Sequence, residues 1–292
     1  MDFLRPSTLE EALAAKSERP AGVPIMGGTD VMVDLNFDRS RPPALIDLTR
    51  IAELREWSLE GGALRLGAGV SYTRVIDGPG AHAPALAQAS RSVASPQIRN
   101  RGTVGGNLGG ASPAGDCHPP LLAAGAVVEL ASVRGVRRVP ARDFYLGPRR
   151  TARQDDELIT AVLLPRPAGP QHFSKIGTRN AMVIAVAAFA LALDAEKRTV
   201  GTGLGSVAPT PVRAEEAEEF LAAEFDWDTG APPAEPVVRR FGELAASATR
   251  PIDDQRGSAE YRRHAVGVMA RRALAWAAAE YRGGLGGGTR CA

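Results

Sequence analysis

Residues 99–120 read Arg-Asn-Arg-Gly-Thr-Val-Gly-Gly-Asn-Leu-Gly-Gly-Ala-Ser-Pro-Ala-Gly-Asp-Cys-His-Pro-Pro, and the reading of the whole chain turns on this stretch. Five glycines, Gly102, Gly105, Gly106, Gly109 and Gly110, fall within nine positions. Each glycine gives up more backbone freedom on folding than any other residue. The run is therefore expected as a loop, not as a helix or strand. Such a loop suits positive φ or a ligand laid against bare backbone. Its successive peptide N–H groups can converge on an anion, most often a phosphate. Thr103, Asn107, Ser112 and Asp116 stand among the glycines and can complete the hydrogen bonding of a nucleotide.

A second glycine turn lies upstream, in Pro24-Ile25-Met26-Gly27-Gly28-Thr29-Asp30-Val31. Val23 to Met26 reads as a short strand that runs into Gly27-Gly28 and leaves as a short helix or strand. Neither loop has the G-x-G-x-x-G spacing of a Rossmann turn, and no Gly-Lys-Ser/Thr follows to make a P-loop. A nucleotide held by these loops would be held in another fold.

The flanking sequence supplies both helices and strands. Ser7 to Ala15 is expected as a helix capped by Ser7. Ala44 to Leu48 reads as a buried strand, and Leu59 to Leu66 as a hairpin turning at Gly61-Gly62. Ala83 to Val93 has helical spacing and is expected to end at Pro96. Ala126 to Ala131 reads as a strand with Arg137 to Pro140 pairing back, and Leu158 to Leu164 as another. Phe144-Tyr145-Leu146-Gly147 is expected as a loop with exposed aromatics. Pro165, Pro167, Gly169 and Pro170 form the clearest linker. Beyond it, the apolar run Ala181 to Leu193 suits either a packed helix or a buried strand; the reading adopted is a turn or helix from Val183 leading into a strand at Phe189 to Asp194. Arg213 to Ala223, Val237 to Ala248 and Ser258 to Arg282 read as helices.

Composition excludes several classes. The 292 residues carry 35 basic and 33 acidic side chains and only 5% aromatics, which gives no basic surface or stacking platform for nucleic acid. Two cysteines, Cys117 and Cys291, cannot by themselves hold an iron–sulfur cluster or a structural zinc ion. No metal site is expected in this chain, and Cys291 is expected to be exposed. The longest apolar run is too short to span a bilayer, and Met1 to Pro6 lacks the pattern of a secretory leader. A cytoplasmic location is expected.

Met26-Gly27-Gly28-Thr29-Asp30 and Thr103-Val104-Gly105-Gly106-Asn107 resemble the paired FAD-binding motifs of the medium, flavoprotein subunit in the xanthine dehydrogenase / aerobic carbon monoxide dehydrogenase family of molybdenum hydroxylases. The likeness continues through Ala111 to Asp116, Phe144 to Gly147, Asp156 to Ile159, Phe173 to Lys175 and Tyr261 to Leu274. These motifs come in family order and cover nearly the whole chain. The resemblance implies an α+β fold: a two-subdomain FAD-binding region of the vanillyl-alcohol oxidase type (residues 1–55 and 56–166), then an α+β C-terminal domain (171–282) and a disordered tail (283–292).

The resemblance also implies a function. The chain would bind FAD and pass electrons from an iron–sulfur partner to NAD or another acceptor. Its partners would be a large molybdopterin subunit and a small subunit with two [2Fe–2S] clusters, in a dimer of heterotrimers. Pro24, Ile25, Met26, Gly27, Gly28, Thr29, Asp30 and Val31 match the loop at the FAD pyrophosphate. Thr103, Gly106 and Asn107 match the loop at the pyrophosphate and ribityl chain. Ser112 and Asp116 match positions bonding cofactor hydroxyls or ring edges, Ile159 an apolar ring contact, and Lys175 a cation near the flavin. No residue is required as nucleophile or general base. Arg99 and Arg101 can reach the diphosphate or face solvent, and His118 suits a structural role. Two rival readings are a stand-alone flavin oxidase of the vanillyl-alcohol oxidase type, with Cys117 or His118 as the nearest candidates for a covalent link, and a nucleotide-binding scaffold without redox activity.

Overall fold

The computed structural model describes residues 1–287. Cys291 and the rest of 288–292 lie outside the described residues. Among the described residues, three sheets of three to five strands and one two-stranded hairpin are covered by helices, so the architecture is α+β as expected.

The first sheet is parallel and built from β1 (Asp2–Leu4), β2 (Val23–Ile25) and β3 (Ala44–Asp47), in the order β1-β3-β2. The central strand β3 is buried at all its positions, as its uninterrupted apolar sequence requires. α1 (Leu9–Glu18) connects β1 to β2, and α2 (Val31–Asn36) follows β2. The cap of α1 is Thr8, not Ser7. Thr8 has the extended backbone a cap needs, and its hydroxyl accepts from Glu11 N–H. Ser7 instead donates its own amide and hydroxyl to the Glu11 carboxylate, at 2.7 and 2.8 Å.

The second sheet is antiparallel, in the order β4-β5-β10-β6-β7. β4 (Trp57–Glu60) and β5 (Ala63–Gly67) form the expected hairpin. Gly61 and Gly62, at φ 55° and 80°, give the doubly left-handed turn that matches strand twist. Five helices then follow in close succession: α3 (Tyr72–Asp77), α4 (Pro84–Ser92), α5 (Pro96–Arg101), α6 (Val104–Gly110) and α7 (His118–Ala123). Two expectations fail here. Pro96 does not merely end α4; it opens α5 at the first helical position, where its missing N–H costs nothing, and Ser95 caps it. The glycine run is also helical, for reasons given below. β6 (Val127–Ser132) and β7 (Gly135–Pro140) pair as expected. α8 (Ala141–Phe144) leads into the small hairpin of β8 (Tyr145–Gly147) and β9 (Arg150–Thr151), before β10 (Leu158–Pro165). Phe144 and Tyr145 are buried, against expectation, because their rings pack edge to face in the core of this sheet; only Leu146 points outward.

The third sheet is antiparallel, in the order β11-β12-β13, from β11 (Gln171–Ile176), β12 (Ala187–Asp194) and β13 (Thr199–Gly205). The apolar run 181–193 thus becomes strand from Ala187, two residues before the position expected. α9 (Glu215–Glu224), α10 (Glu235–Ser247) and α11 (Ala259–Gly287) cover one face. α11 continues past Gly283, where the sequence suggests a stop. The other face of the sheet receives α7. A Cβ on Gly201 would lie 2.0 Å from the Ala123 carbonyl oxygen, and one on Gly203 would lie 1.9 Å from that of Pro119. These glycines let helix and sheet meet backbone to backbone.

Candidate functional site

A cleft of about 500 Å³ opens between the first sheet and the second. Its size is that of a small-molecule site. The loop after β2 forms one wall and α6 the other. Both loops singled out in the sequence therefore face one space.

The first loop contributes unsatisfied donors. Among the described residues, no protein acceptor meets the amide N–H groups of Gly27, Gly28, Thr29 or Asp30. Gly28 takes φ 76°, which turns the chain into α2. Gly27 is required for a different reason: its Cβ would lie 2.1 Å from the carbonyl oxygen of Arg101. Gly27 therefore lets the two loops close on each other. Arg101 takes part through its backbone, and Arg99 spends its guanidinium on the carbonyls of Val93 and Ala94, at 2.9 and 3.0 Å. Neither Arg99 nor Arg101 lines the cleft.

The second loop is α6, a seven-residue helix containing four glycines. Its amides are already used. Thr103 caps it, accepting from Gly106 N–H at 2.9 Å, while Val104 and Gly105 donate to the carbonyls of Val70 and Ala68. What α6 offers is shape. Gly105 and Leu108 face inward, and a Cβ on Gly105 would meet Ala68 at 2.5 Å. Gly106, Gly109 and Gly110 share the opposite face at helical spacing and line the cleft. There an added Cβ would meet only Thr103 Oγ1 at 3.0 Å, Ile159 at 3.6 Å and Asp30 at 3.7 Å. The result is a flat, bare helix face against which a ligand can lie.

Of the residues expected at the site, Pro24, Met26, Gly27, Gly28, Thr29, Asp30, Val31, Thr103, Gly106, Asn107 and Ile159 line this cleft. Ile25, Ser112, Asp116 and Lys175 do not. Ser112 is exposed, and its hydroxyl accepts from Ala114 N–H in a local turn. Asp116 and Lys175 meet each other instead. Lys175 Nζ donates to Asp116 Oδ2 at 2.6 Å and to the Ser92 carbonyl at 3.1 Å, with both side chains below 10% exposed. Burial pushes the Asp116 carboxyl up, and the Lys175 ammonium pulls it back. This ion pair ties α4 and the segment after α6 to β11.

His118 is fully buried, with Nδ1 2.9 Å from the Tyr145 hydroxyl. Its ring lies under Gly115, where an added Cβ would sit 2.3 Å from Nε2 and 2.9 Å from Asn107 Nδ2. Its role is to support the turn between α6 and α7. Burial pushes the Cys117 thiol far up, so it is not a reactive thiolate at neutral pH.

Sequence reasoning missed Lys16, Tyr72, Arg149, Arg153 and Asp155, which also line the cleft. None belongs to a glycine motif. Arg149 pairs with Asp34 at 2.9 Å across the cleft mouth, a contact between positions 115 residues apart that no local pattern signals.

These features fit FAD. Free amides in the first loop suit the diphosphate, and the bare face of α6 admits a ligand where any side chain would intrude. Two buried acceptors, Asn107 Oδ1 on the cleft wall and Asp116 Oδ1 beside Lys175, have no donor among the described residues. Their unmet bonding suits a ligand rich in hydroxyl and N–H groups.

Comparison with known proteins agrees along nearly the whole chain. Residues 1–167 match the family described as FAD binding domain in molybdopterin dehydrogenase, and residues 172–277 match the CO dehydrogenase flavoprotein C-terminal domain. The chain is 32% identical to the xanthine dehydrogenase FAD-binding subunit of Escherichia coli O157:H7, over 97% of this chain and 98% of that one. It is 33% identical to the carbon monoxide dehydrogenase medium chain of Afipia carboxidovorans, over 94% and 95%. Among solved structures, a chain of quinoline 2-oxidoreductase from Pseudomonas putida 86 superposes with a TM-score of 0.87 at 28% identity, covering 97% of this chain and 98% of that one. A chain of carbon monoxide dehydrogenase from Hydrogenophaga pseudoflava gives 0.86 at 30%, covering 95% and 98%. The protein is thus an oxidoreductase subunit, and it belongs to the family of FAD-binding medium subunits of molybdenum hydroxylases.

Proposed function

We propose that this chain holds FAD in the cleft between its first two sheets and serves as the electron-transferring subunit between a small [2Fe–2S] subunit and NAD or another acceptor. The large partner would carry the molybdopterin cofactor and the substrate site, and the assembly would be a dimer of heterotrimers. The observation that carries the reading is the facing of four unpaired amides and a bare helix face across one cleft. FAD, when bound, supplies the exchange between single electrons and a hydride.

The protein's own residues bind, orient and tune. Gly27 to Asp30 present N–H groups to the diphosphate. Gly106, Gly109 and Gly110 leave room for the ribityl chain, and Ile159 packs on its apolar side. Asn107 and Asp116 offer their unpartnered oxygens to cofactor hydroxyls or ring N–H groups. Lys175, buried beside Asp116, would supply positive charge to the flavin if the ring extends past Asn107 toward Asp116, and would favour its anionic reduced form. The full chain, expressed alone, should take up FAD stoichiometrically, with the visible flavin band and quenched fluorescence. Co-expression with its two partners should give a flavin reduced by the complex's substrate. Absence of FAD uptake would refute the reading.

A further inference from the structure

Two cations outside both glycine loops line the cleft, which Asp116 and Lys175 do not. Lys16, in the last turn of α1, is only 2% exposed yet lines the cleft. Its ammonium donates to the carbonyls of Pro20 and Gly22, each at 2.7 Å. An ammonium has three N–H groups, so one is left over. Arg153 lines the same part of the cleft and donates Nη1 to the Glu157 carbonyl at 2.9 Å. Among the described residues, neither cation forms an ion pair with a carboxylate, whereas Glu129 in β6 pairs with Arg65 and Arg138, and Asp156 and Glu157 just before β10 pair with Arg134 and Arg137.

Both charges are held at a cost. Burial lowers the Lys16 ammonium to about 8; the Arg153 charge adds to the effect, and the carboxylates of Asp155 and Asp156 oppose it. Burial also lowers the Arg153 guanidinium from its usual range. Two partly desolvated cations bonded only to carbonyls keep N–H groups for a ligand rich in acceptors. The walls beside them are apolar, from Leu48, Leu54 and Leu158, and Asp155 stands among them as an acceptor. An apolar slot edged by donors and one acceptor matches adenosine. The base nitrogens N1, N3 and N7 only accept, and the ribose diol both donates and accepts. The diphosphate is an alternative partner, but Lys16 is tied to Gly22. β2 separates Gly22 from the Gly27 loop by about 10 Å, at roughly 3.3 Å per residue.

Resting on the FAD reading, we infer that Lys16 and Arg153 recognise the adenosine half of the dinucleotide and thereby set the preference for FAD over FMN. Neither residue lies in the motifs that carry the family resemblance.

The test uses the full chain stripped of flavin and titrated with FAD, ADP and FMN, as wild type, Lys16→Met and Arg153→Gln. In each variant the Kd for FAD and for ADP should rise roughly tenfold or more, as for loss of a charge-assisted hydrogen bond. The ratio of FMN to FAD Kd should fall by a similar factor. Unchanged FAD and ADP affinities would overturn the inference. So would an unchanged FMN-to-FAD ratio, which would place the cations on the phosphate that both flavins share. Lys16 also fastens the turn at Pro20 to Gly22, so thermal melts accompany the titrations. Should Lys16→Met fail to fold, Arg153→Gln decides alone. Wild-type chain that binds neither FAD nor ADP would refute the proposed function instead.

Discussion

The imidazole of His118 is sealed from solvent, and burial pushes its pKa down to about 3 from an ordinary 6.5. It is neutral at pH 7 and braces Gly115 without carrying charge. The unfolded chain takes up a proton below pH 6.5 and the folded chain does not until near 3, so stability falls as pH falls through this window. Between pH 6.5 and 4.5 this one ring should account for roughly 2 kcal/mol. Urea unfolding across that range should show the loss, and His118→Asn should flatten it even where the variant is less stable at pH 7. Gly106 tests the cleft. Gly106→Val leaves the inner face of α6 untouched, so FAD binding should vanish while the melting temperature stays within a few degrees, about 1 kcal/mol in stability. Lys175→Ala should act twice. It strands a buried carboxylate at a cost of about 3–5 kcal/mol, and it should lower the flavin potential measured by dye titration. An unchanged potential would confine Lys175 to a structural role. At this scale the sequence disclosed the residues with distinctive neighbours, those of the two glycine loops. It did not disclose Lys16 or Arg153, whose meaning depends on which distant carbonyls and walls surround them.

The element that most changes on seeing the structure is α6. Glycine disfavours helix by about 1 kcal/mol per residue relative to alanine, and four of seven residues are glycine. The helix persists because tertiary contacts outweigh propensity. Thr103 caps it, Val104 and Leu108 are fully buried, and Ala111 closes it in the left-handed region at φ 41°. Thr103→Ala should cost about 1 kcal/mol by loss of the cap, visible in denaturant unfolding. It should also weaken FAD binding by loosening the first turn, measured by flavin titration. A stability loss with unchanged affinity would mean that the bare face forms without its cap. The hairpin at Gly61-Gly62 was legible because two-residue turns have local chemistry. α6 was not, because the forces that hold it come from Ala68, Val70 and the core beneath.

At the scale of the molecule, the N-terminal two sheets and the C-terminal sheet are joined by more than the Pro-rich segment 165–170. β13 lies on α7 through its glycines, Lys175 reaches Asp116, and Phe173 N–H donates to the Gln88 side chain at 2.7 Å. A small apolar cluster of Ala85, Ala89, Ala123, Phe173, Ala185, Ala188 and Ala190 fills the seam. Gly203→Val would force backbone apart at 1.9 Å and should destabilise the chain by several kcal/mol, at the upper end for single substitutions. Thermal unfolding should then split into two transitions where the wild type shows one. Alternating small residues in β13 are visible in the sequence as Gly201, Gly203 and Gly205, but nothing local says which partner they admit.

The glycine track of β13 also bears on heredity. The linker invites recombination, since a crossover there cuts little chain and no strand. Yet α7 and β13, on either side of it, must inherit each other's contours. A chimera joining residues 1–167 of this protein to the C-terminal part of a relative with larger residues at 201 and 203 should express poorly, and it should recover when only those two glycines are restored.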